Sequence, residues 1–463
     1  MPQGIEKQVT TTTRSLEGLH STVAVPPNKA PFWRQCLSYG GPAILVSVGY
    51  MDPGNWGTDL QAGAQFRYGL LWVVALSSLM AIFLQCCSAR LGVVTGKDLA
   101  QACRDFYPGW TRWPNWLACE IAIAACDLAE VLGSAVAINL LFGIPLFWAV
   151  VITAFDVLLL LALQRFGMRM IEAVISVLIL TIGVCYFIEL FVLHQTRPDF
   201  LELGKAILSP SLSRPGMAFV AIGIIGATVM PHNLYLHSAL VQSRKLQADD
   251  DSVRRAIWFN NLDSTVALSI AFLVNASILV LAALTFYGKT GVELPDGQFI
   301  EFSEDSDWIR IAYLTLAPLL GTALASILFA VALLASGQSS TITGTLAGQV
   351  VMEGFMHWRI KPWLRRLVTR LLAILPAVFI IGFRGEGSVT DLLTLSQVVL
   401  AIQLPFAIFP LLHFVSSKKY MGAYRAGWFL RTVGWASCIL ITTLDIYGLP
   451  ELLNEAWRIV VGG

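Results

Sequence analysis

Charged residues are scarce in this chain. Of its 463 residues, 13% are charged and 56% are hydrophobic, whereas soluble domains average about 25% charged residues. Together with a mean hydropathy of +0.68, this excludes an ordinary soluble domain and predicts an integral membrane protein, with the lipid bilayer as a partner. The net charge of +1 does not indicate a nucleic-acid partner, and we expect none.

Three further features are missing. None of the eight cysteines belongs to a CxxC pair, so we interpret them as small buried apolar residues. There is no His-rich catalytic site and no nucleophile with its base, which argues against an intramembrane metallohydrolase, and we predict neither an enzyme nor a cofactor. The polar, Thr-rich segment 1–30 has no apolar core, so we expect a disordered tail rather than a cleaved signal peptide.

Apolar stretches of roughly 20 residues can cross a bilayer as helices. The sequence predicts eleven spans, at 41–66, 70–94, 115–140, 145–164, 171–194, 217–241, 257–287, 312–336, 367–383, 392–415 and 428–449. We expect the eighth to continue as helix to residue 353. With the N-terminus inside, 23 of the 31 Lys and Arg residues fall in cytoplasmic segments and 8 in outer ones. The positive-inside rule therefore predicts a cytoplasmic N-terminus and an extracytoplasmic C-terminus. We expect the protein to lie in the plasma (inner) membrane.

Two spans carry helix breaks. Asp52-Pro53-Gly54-Asn55 interrupts span one, and Met230-Pro231-His232-Asn233 interrupts span six. A charge and a broken backbone at membrane depth are costly unless the break lines a cavity, as in a cation site. Paired broken helices in the two halves of a chain indicate a transporter's substrate site.

Four spans lie between the two broken ones, so span one runs outward and span six inward. This is the arrangement of an all-α, five-plus-five inverted repeat with one extra helix, the LeuT-type architecture. We predict a tail at 1–34, a first repeat at 35–200, a second repeat at 201–417, and the eleventh span with the C-terminus at 418–463.

The breaks combine different ligand types. Asp52 offers an anionic oxygen, Asn55 an amide oxygen and Met230 a thioether sulfur, and unwinding would free backbone carbonyls such as those of Ala227 and Gly49. Oxygen ligands alone suit Mg²⁺ or Ca²⁺, whereas added sulfur favours softer transition metals. The alternative is that Met230 is ordinary core filler.

Span three carries three acids on one helical face. Glu120, Asp127 and Glu130 are seven and three residues apart, and carboxylates inside a membrane typically mark a proton or ion path. Their expected cationic partners lie at the start of span nine, where anchoring by the positive-inside rule is the alternative interpretation. These partners are Arg365, Arg366 and Arg370.

Other polar residues lie in apolar surroundings. His232 and His237 are five residues apart, about 140° around a helix, so they do not form a zinc face. We predict a proton-linked or gating role for His232, because histidine titrates near neutral pH. Gln397 in span ten is a further expected metal contact, and His237 and Asn275 are additional candidate site residues. For all three, the alternative interpretation is hydrogen bonding between helices.

At these residues the chain resembles the Nramp (natural resistance-associated macrophage protein) family of proton-coupled divalent metal transporters, near its bacterial manganese branch. The resemblance covers spans one to eleven. The motifs that carry it are GYMDPGNWGTDLQAGAQF (49–66), CDLAEVLG (126–133), GIIGATVMPHNLYLHSAL (223–240), ASGQSSTITGTLAGQVVMEGF (335–355) and LSQVVLAIQLPF (395–406).

The resemblance implies a metal site and a proton route. The implied metal ligands are Asp52, Asn55, Ala227, Met230 and Gln397. The implied proton route consists of Asp127, Glu130, Glu120, His232, Arg365 and Arg366. A departure is Cys126, where relatives often carry threonine; it leaves the carboxylates intact.

We therefore expect an importer of Mn²⁺ and Fe²⁺, also accepting Co²⁺ and Cd²⁺, driven by inward proton movement through alternating access. Its expected partners are divalent metal ions and protons. The rival hypothesis is a sodium-coupled amino-acid symporter of the same architecture. Such a symporter needs a Gly-rich cradle for a carboxylate and an amine, and its site would not favour a Met–Asp pair.

Overall fold

A computed structural model describes residues 15–26, 30–155, 168–188, 198–247, 249–293, 299–302, 308–320, 323–384 and 389–457. Parts of the predicted tail, spans and C-terminus lie outside these ranges. They are residues 1–14 and 27–29 of the expected tail, 156–164 of span four, 189–194 of span five, 321–322 of span eight and 458–463 of the C-terminal segment.

Nearly all of the described chain is helical, and each of the eleven predicted spans contains helix. The α-helices are Phe32–Tyr39, Pro42–Ser47, Pro53–Phe66, Leu71–Thr95, Leu99–Phe106, Arg112–Phe142, Leu146–Ile152, Met168–Phe187, Phe200–Leu208, Met217–Thr228, Pro231–Leu240, Asp250–Thr285, Trp308–Leu320, Ala323–Met356, Pro362–Arg384, Val389–Ser416, Lys418–Met421 and Trp428–Trp457. The 3₁₀ helices are Glu17–Leu19, Val48–Met51, Gly109–Thr111, Thr153–Phe155, Val241–Ser243 and Gly422–Tyr424.

Two small sheets accompany the helices. Strand Val23–Ala24 pairs in parallel with Arg244–Lys245, and strand Gly291–Glu293 pairs antiparallel with Phe299–Glu301. The first sheet joins the N-terminal segment to the loop after span six, and the second lies in the loop after span seven.

Helix length and apolarity indicate which helices can cross a bilayer. Within the described ranges, eight helices are long and apolar enough to cross a bilayer, and shorter apolar helices occupy Pro42–Met51 and Leu146–Phe155 in spans one and four. Span nine contains the helix Pro362–Arg384. A multi-pass helical membrane protein is confirmed, while the count of eleven stays a prediction.

Two predicted boundaries are wrong. Span eight is the helix Ala323–Met356, which continues past residue 336 as expected. The predicted beginning of this span, from residue 312, belongs instead to a separate helix, Trp308–Leu320. The expected disorder of residues 1–34 does not hold for 15–26, which contain a 3₁₀ turn and a strand, nor for the start of the helix at Phe32. Composition alone could not reveal this order, because it depends on contacts with distant loops.

The broken spans one and six lie at the centre of the helix packing. The outer half of span one packs on span seven, the first half of span six packs on span ten, and span three runs along spans eight, nine and ten. Close approach is possible where glycine faces a backbone: at Gly226, a side-chain carbon would overlap the carbonyl oxygen of Gln397. This contact fixes the spacing between spans six and ten.

The Gly226 contact yields a stability prediction. Gly226→Ala should lower the unfolding temperature in detergent, because the added methyl meets a backbone carbonyl, and such overpacking costs about 1–3 kcal/mol. Gly204→Ala is the matched control: Gly204 lies in an exposed helix with nothing within 4 Å of the added carbon. The control should not be destabilised, because alanine is the better helix former. Equal melting temperatures for both variants would contradict the close approach.

Candidate metal centre

Both helix breaks have the same local chemistry. Asp52 has extended backbone angles (φ −68°, ψ 167°), as does Met230 (φ −67°, ψ 121°). A proline follows each and occupies the first helical position, where no amide hydrogen is needed. Asp52 Oδ1 also caps the second half of span one by accepting from the Asn55 amide at 2.8 Å. The predicted breaks at these positions are confirmed.

Side chains satisfy the backbone carbonyls that the first break leaves without helical partners. The Tyr50 carbonyl accepts from Asn275 Nδ2 at 2.8 Å, and the Met51 carbonyl accepts from the Trp56 indole at 3.2 Å. Ser336 of span eight also donates to the Met51 carbonyl. The unwound segment is thus held in shape by spans seven and eight.

The Asn55 side chain lies at the point where the two breaks meet. Its Nδ2 donates to Asp52 Oδ1 at 2.7 Å, to the Ala227 carbonyl at 3.1 Å and, at 3.5 Å, to the Gly49 carbonyl. Three oxygens from spans one and six therefore surround one NH₂ group that carries partial positive charge. Asn275 Nδ2 donates to Asn55 Oδ1 at 3.2 Å.

Asp52 retains unused acceptor capacity. Its side chain is fully buried, and none of the described residues donates a hydrogen bond to its Oδ2. In the described ranges, no three or more His, Cys, Asp and Glu side chains form a metal-ligand group. The candidate centre thus combines one carboxylate with neutral oxygen donors.

Met230 and Gln397 lie against the first break. The Met230 sulfur is about 3.2 Å from where a Cβ on Gly49 would be, and it accepts from Asn233 Nδ2 at 3.5 Å. The Gln397 side chain packs directly on Gly54, between Asp52 and Asn55 in the chain. Gln397 is buried, and its Oε1 has no hydrogen-bond partner among the described residues.

The acids of span three pair with the arginines of span nine, as expected. Arg366 bonds Asp127 and lies 3.3 Å from Glu130. At the predicted cytoplasmic end, Arg365 bonds Glu120 at 2.9 Å. The Arg366 pairs are almost entirely buried, whereas the Glu120 side chain is 20% exposed.

Three further contacts complete the charge cluster between spans three, eight and nine. Arg370 Nη1 lies 3.9 Å from Glu130 Oε2, and Thr341 of span eight donates to the same oxygen at 3.1 Å. Cys126, the departure from the family pattern, directs its thiol to Glu130 Oε1 at 3.7 Å. The cysteine thus keeps a weak contact to the carboxylate.

The two histidines face different partners. His237 Nδ1 lies 2.9 Å from Gln85 Oε1, and Gln85 Nε2 donates to the Tyr50 hydroxyl at 2.6 Å, so this histidine joins spans one, two and six. His232 is buried, and its Nδ1 has no hydrogen-bond partner among the described residues. The histidines form no shared metal face, as their spacing predicted.

Comparison with known proteins identifies the family. The family model "Natural resistance-associated macrophage protein-like" (Nramp) matches residues 43–451. This chain belongs to the Nramp family. It is 49% identical over 445 residues to the divalent metal cation transporter MntH of Nostoc sp., with 96% of each chain covered. It is 47% identical over 443 residues to MntH of Listeria monocytogenes serotype 4a, with 95% of each covered.

Solved structures confirm the fold of this Nramp chain. The manganese transporter of Eremococcus coleocola, in complex with an aromatic bis-isothiourea compound, matches with a TM-score of 0.84 at 40% identity, covering 95% of this chain and 91% of that one. A nucleobase-cation-symport-1 transporter, MHP1, matches with a TM-score of 0.59 at 13% identity, covering 98% of this chain and 96% of that chain, which concerns the fold alone. The LeuT-type architecture predicted from the two breaks is confirmed, and members of this family are transporters rather than enzymes.

Sequence reasoning missed two parts of the Nramp structure. The first is Asp59, which is 1% exposed and whose Oδ2 accepts no hydrogen bond from a described residue. It lies seven residues after Asp52 and therefore on the same helical face, and this spacing could have predicted it.

The second part is a clamp on the start of span one. In it, Asp263 accepts from the amides of Gly41 (3.1 Å) and Ala43 (2.9 Å).

Arg244 completes this clamp. Its guanidinium bonds Glu172 at 2.9 Å and donates to the carbonyls of Ser38 (3.2 Å) and Gly40. Arg169 lies 2.9 Å from Glu172 as well. Residues from spans five, six and seven thus hold the segment before the first break, and no local sequence pattern could have brought them together.

Proposed function

We propose that this Nramp chain is a proton-coupled importer of Mn²⁺, and of Fe²⁺, Co²⁺ and Cd²⁺, that works by alternating access. The observation that carries the proposal is the convergence of Asp52 Oδ1 and the Gly49 and Ala227 carbonyls on the Asn55 amide group. The relatives named as divalent metal cation transporters and the Eremococcus coleocola manganese transporter support the same cargo.

A metal ion would lie among the oxygens that now accept from the Asn55 NH₂ group, in place of its hydrogens. Rotation of this amide by 180° would turn its carbonyl oxygen toward the ion, so that the cation meets oxygens from Asp52, Asn55, Gly49 and Ala227. The free Asp52 Oδ2 and Gln397 Oε1 are further available oxygens. The Met230 sulfur beside Gly49 adds a soft ligand that favours transition metals over Mg²⁺ or Ca²⁺.

Protons would leave through the charge cluster between spans three and nine. Asp127, Glu130 and Glu120 form a row of carboxylates along span three, each beside a span-nine arginine. His232 carries a ring nitrogen with no hydrogen-bond partner among the described residues, and its helix packs on span three, so it would link the metal centre to this row. Buried titratable groups in a membrane helix are typical of proton paths.

Alternating access requires closure on one side of the metal centre at a time. The clamp formed by Arg244, Glu172 and Asp263 holds the predicted cytoplasmic end of span one. On the opposite side, a cavity of about 510 Å³ opens beside Ala64–Phe66 and Phe286. This asymmetry supports a cytoplasmically closed state. The proposed orientation, with the N-terminus inside and the C-terminus outside a plasma (inner) membrane, rests on the excess of Lys and Arg in the predicted cytoplasmic segments.

The rival amino-acid symporter shares the architecture but not the family. Membership in the Nramp family and the Asp–Asn–carbonyl set beside a methionine both favour a metal.

Asp52 supplies the only full negative charge in the proposed ligand set. Asp52→Asn should therefore abolish Mn²⁺ uptake into proteoliposomes while the protein remains monodisperse, because a neutral amide cannot balance a dication at membrane depth. Asp199→Asn is the matched control, since Asp199 is also a helix cap but is exposed. Uptake by Asp52→Asn at the level of the control would refute the site.

Asp127 should couple proton movement to metal movement. Asp127→Asn should reduce metal-driven acidification of the liposome lumen more than it reduces Mn²⁺ binding, because it removes a titratable group without touching the ligand set. The measurement is the ratio of lumenal acidification to Mn²⁺ flux, with Asp105→Asn, an aspartate in an exposed ion pair, as control. An unchanged ratio would exclude Asp127 from the proton route.

Met230 should act as a selectivity residue. Met230→Ala should lose Cd²⁺ transport most, retain some Mn²⁺ transport and become sensitive to excess Ca²⁺, because thioether sulfur suits Cd²⁺ and disfavours hard cations. The measurement is Mn²⁺ uptake with and without Ca²⁺. Met80→Ala, which truncates another buried methionine, controls for packing. If both variants resist Ca²⁺ as the unaltered protein does, Met230 is core filler.

A further inference from the structure

Residues 15–26 form a segment that we name the N-terminal strap. It crosses the predicted cytoplasmic face and is partly buried there: Ser15, Leu16 and Val23 are 1%, 6% and 6% exposed. Leu16 belongs to the main hydrophobic core. A polar, Thr-rich terminus with no contacts would not bury these side chains, so the strap is docked.

One end of the strap is attached to the ends of spans two and eight. The Leu16 amide donates to Glu353 Oε2 at 2.9 Å, in the last turns of span eight. Gln101, in the short helix after span two, donates to the Ser15 hydroxyl at 3.3 Å. Glu353 is itself positioned by Gln349, whose side chain donates to Oε1 at 2.9 Å.

The other end of the strap is attached to spans one and six. The Ser21 amide donates to the Gln242 carbonyl at 3.1 Å, just after span six. Val23–Ala24 then pairs as a parallel strand with Arg244–Lys245. Val25 packs on the aromatic pair Tyr39 and Phe259 beside the start of span one.

This second attachment involves the clamp directly. Arg244 pairs with the strap through its backbone, and its side chain holds Glu172 and the carbonyls of Ser38 and Gly40. If the inner halves of spans one and six move away from span eight, the strap must release either Glu353 or the Arg244 strand. Docking and clamp closure are therefore mechanically linked.

We propose that the N-terminal strap is a latch that stabilises the cytoplasmically closed state and undocks when the transporter opens to the cytoplasm. The proposal rests on the alternating access of the proposed function. The latch is weak enough to be reversible, because it consists of a two-residue strand, a few hydrogen bonds and a few buried side chains, and each hydrogen bond contributes little net stability. Segments of such low local stability are the ones that move in conformational switching.

The test compares Leu16→Asp with Gly18→Asp. Leu16→Asp puts a carboxylate into an apolar contact beside Glu353 and should undock the strap. Gly18→Asp adds the same charge two residues away at an exposed position with nothing within 4 Å. Each change is combined with Ser47→Cys, a reporter at a buried position in the inner half of span one. Each variant without the reporter gives its own background, because the partly exposed Cys36 packs in the same cluster as Val25 of the strap.

The readout is the rate at which N-ethylmaleimide alkylates the reporter in the full-length protein. Undocking should raise this rate at least about threefold in Leu16→Asp, as expected for the loss of one or two net hydrogen bonds, and leave it unchanged in Gly18→Asp. A chain that starts at residue 27 should behave like Leu16→Asp, which keeps the test valid if that variant does not fold.

Two outcomes would overturn the latch: an unchanged or lower rate in Leu16→Asp and in the truncated chain, or an equal rise in Gly18→Asp. The alkylation rate does not depend on transport, so it separates the latch from the proposed function. If the unaltered protein takes up no Mn²⁺, the proposed function fails, whatever the alkylation rates are.

Discussion

The structure depends on one constraint: a helix broken inside a membrane must find partners for its freed backbone groups. Each unsatisfied group in the hydrocarbon region costs several kcal/mol. Here the carbonyls at the first break are bonded by Asn55, Trp56, Asn275 and Ser336. These partners come from spans one, seven and eight, so the break can exist only inside the assembled bundle. The candidate metal centre is a consequence of this requirement, because the same oxygens that need donors are suited to a cation.

A second requirement concerns buried charge. Arg366 and its carboxylate partners Asp127 and Glu130 are almost completely buried, and such groups are tolerated only when they are paired and hydrogen-bonded. Thr341 and Cys126 contribute further contacts to Glu130. Removing one member would leave its partner charge buried and unpaired. The packing of spans three, eight and nine against one another therefore depends on this cluster.

Closure at the predicted cytoplasmic end has a different chemistry from the metal centre. The clamp and the strap consist of ion pairs, backbone hydrogen bonds and a few apolar contacts. The Arg244 and Glu172 side chains are 1% and 7% exposed, so this pair, like the cluster of spans three and nine, is tolerated only while both partners stay together. In the proposed latch, the strap is the part that releases.

The sequence by itself determined the class of protein, the positions of the two breaks and the kinds of donor atom at the candidate metal centre. These follow from apolar length, from proline after Asp52 and after Met230, and from the chemistry of individual side chains. It also predicted that the span-three acids pair with Arg365 and Arg366, since unpaired charges are not tolerated there. Only the tertiary structure decided that Asn55 lies among three oxygens, that Gln397 packs on Gly54, that Arg244 holds the start of span one, and that residues 15–26 are docked. Each of these contacts joins residues far apart in the chain, and no local periodicity or composition records such a contact.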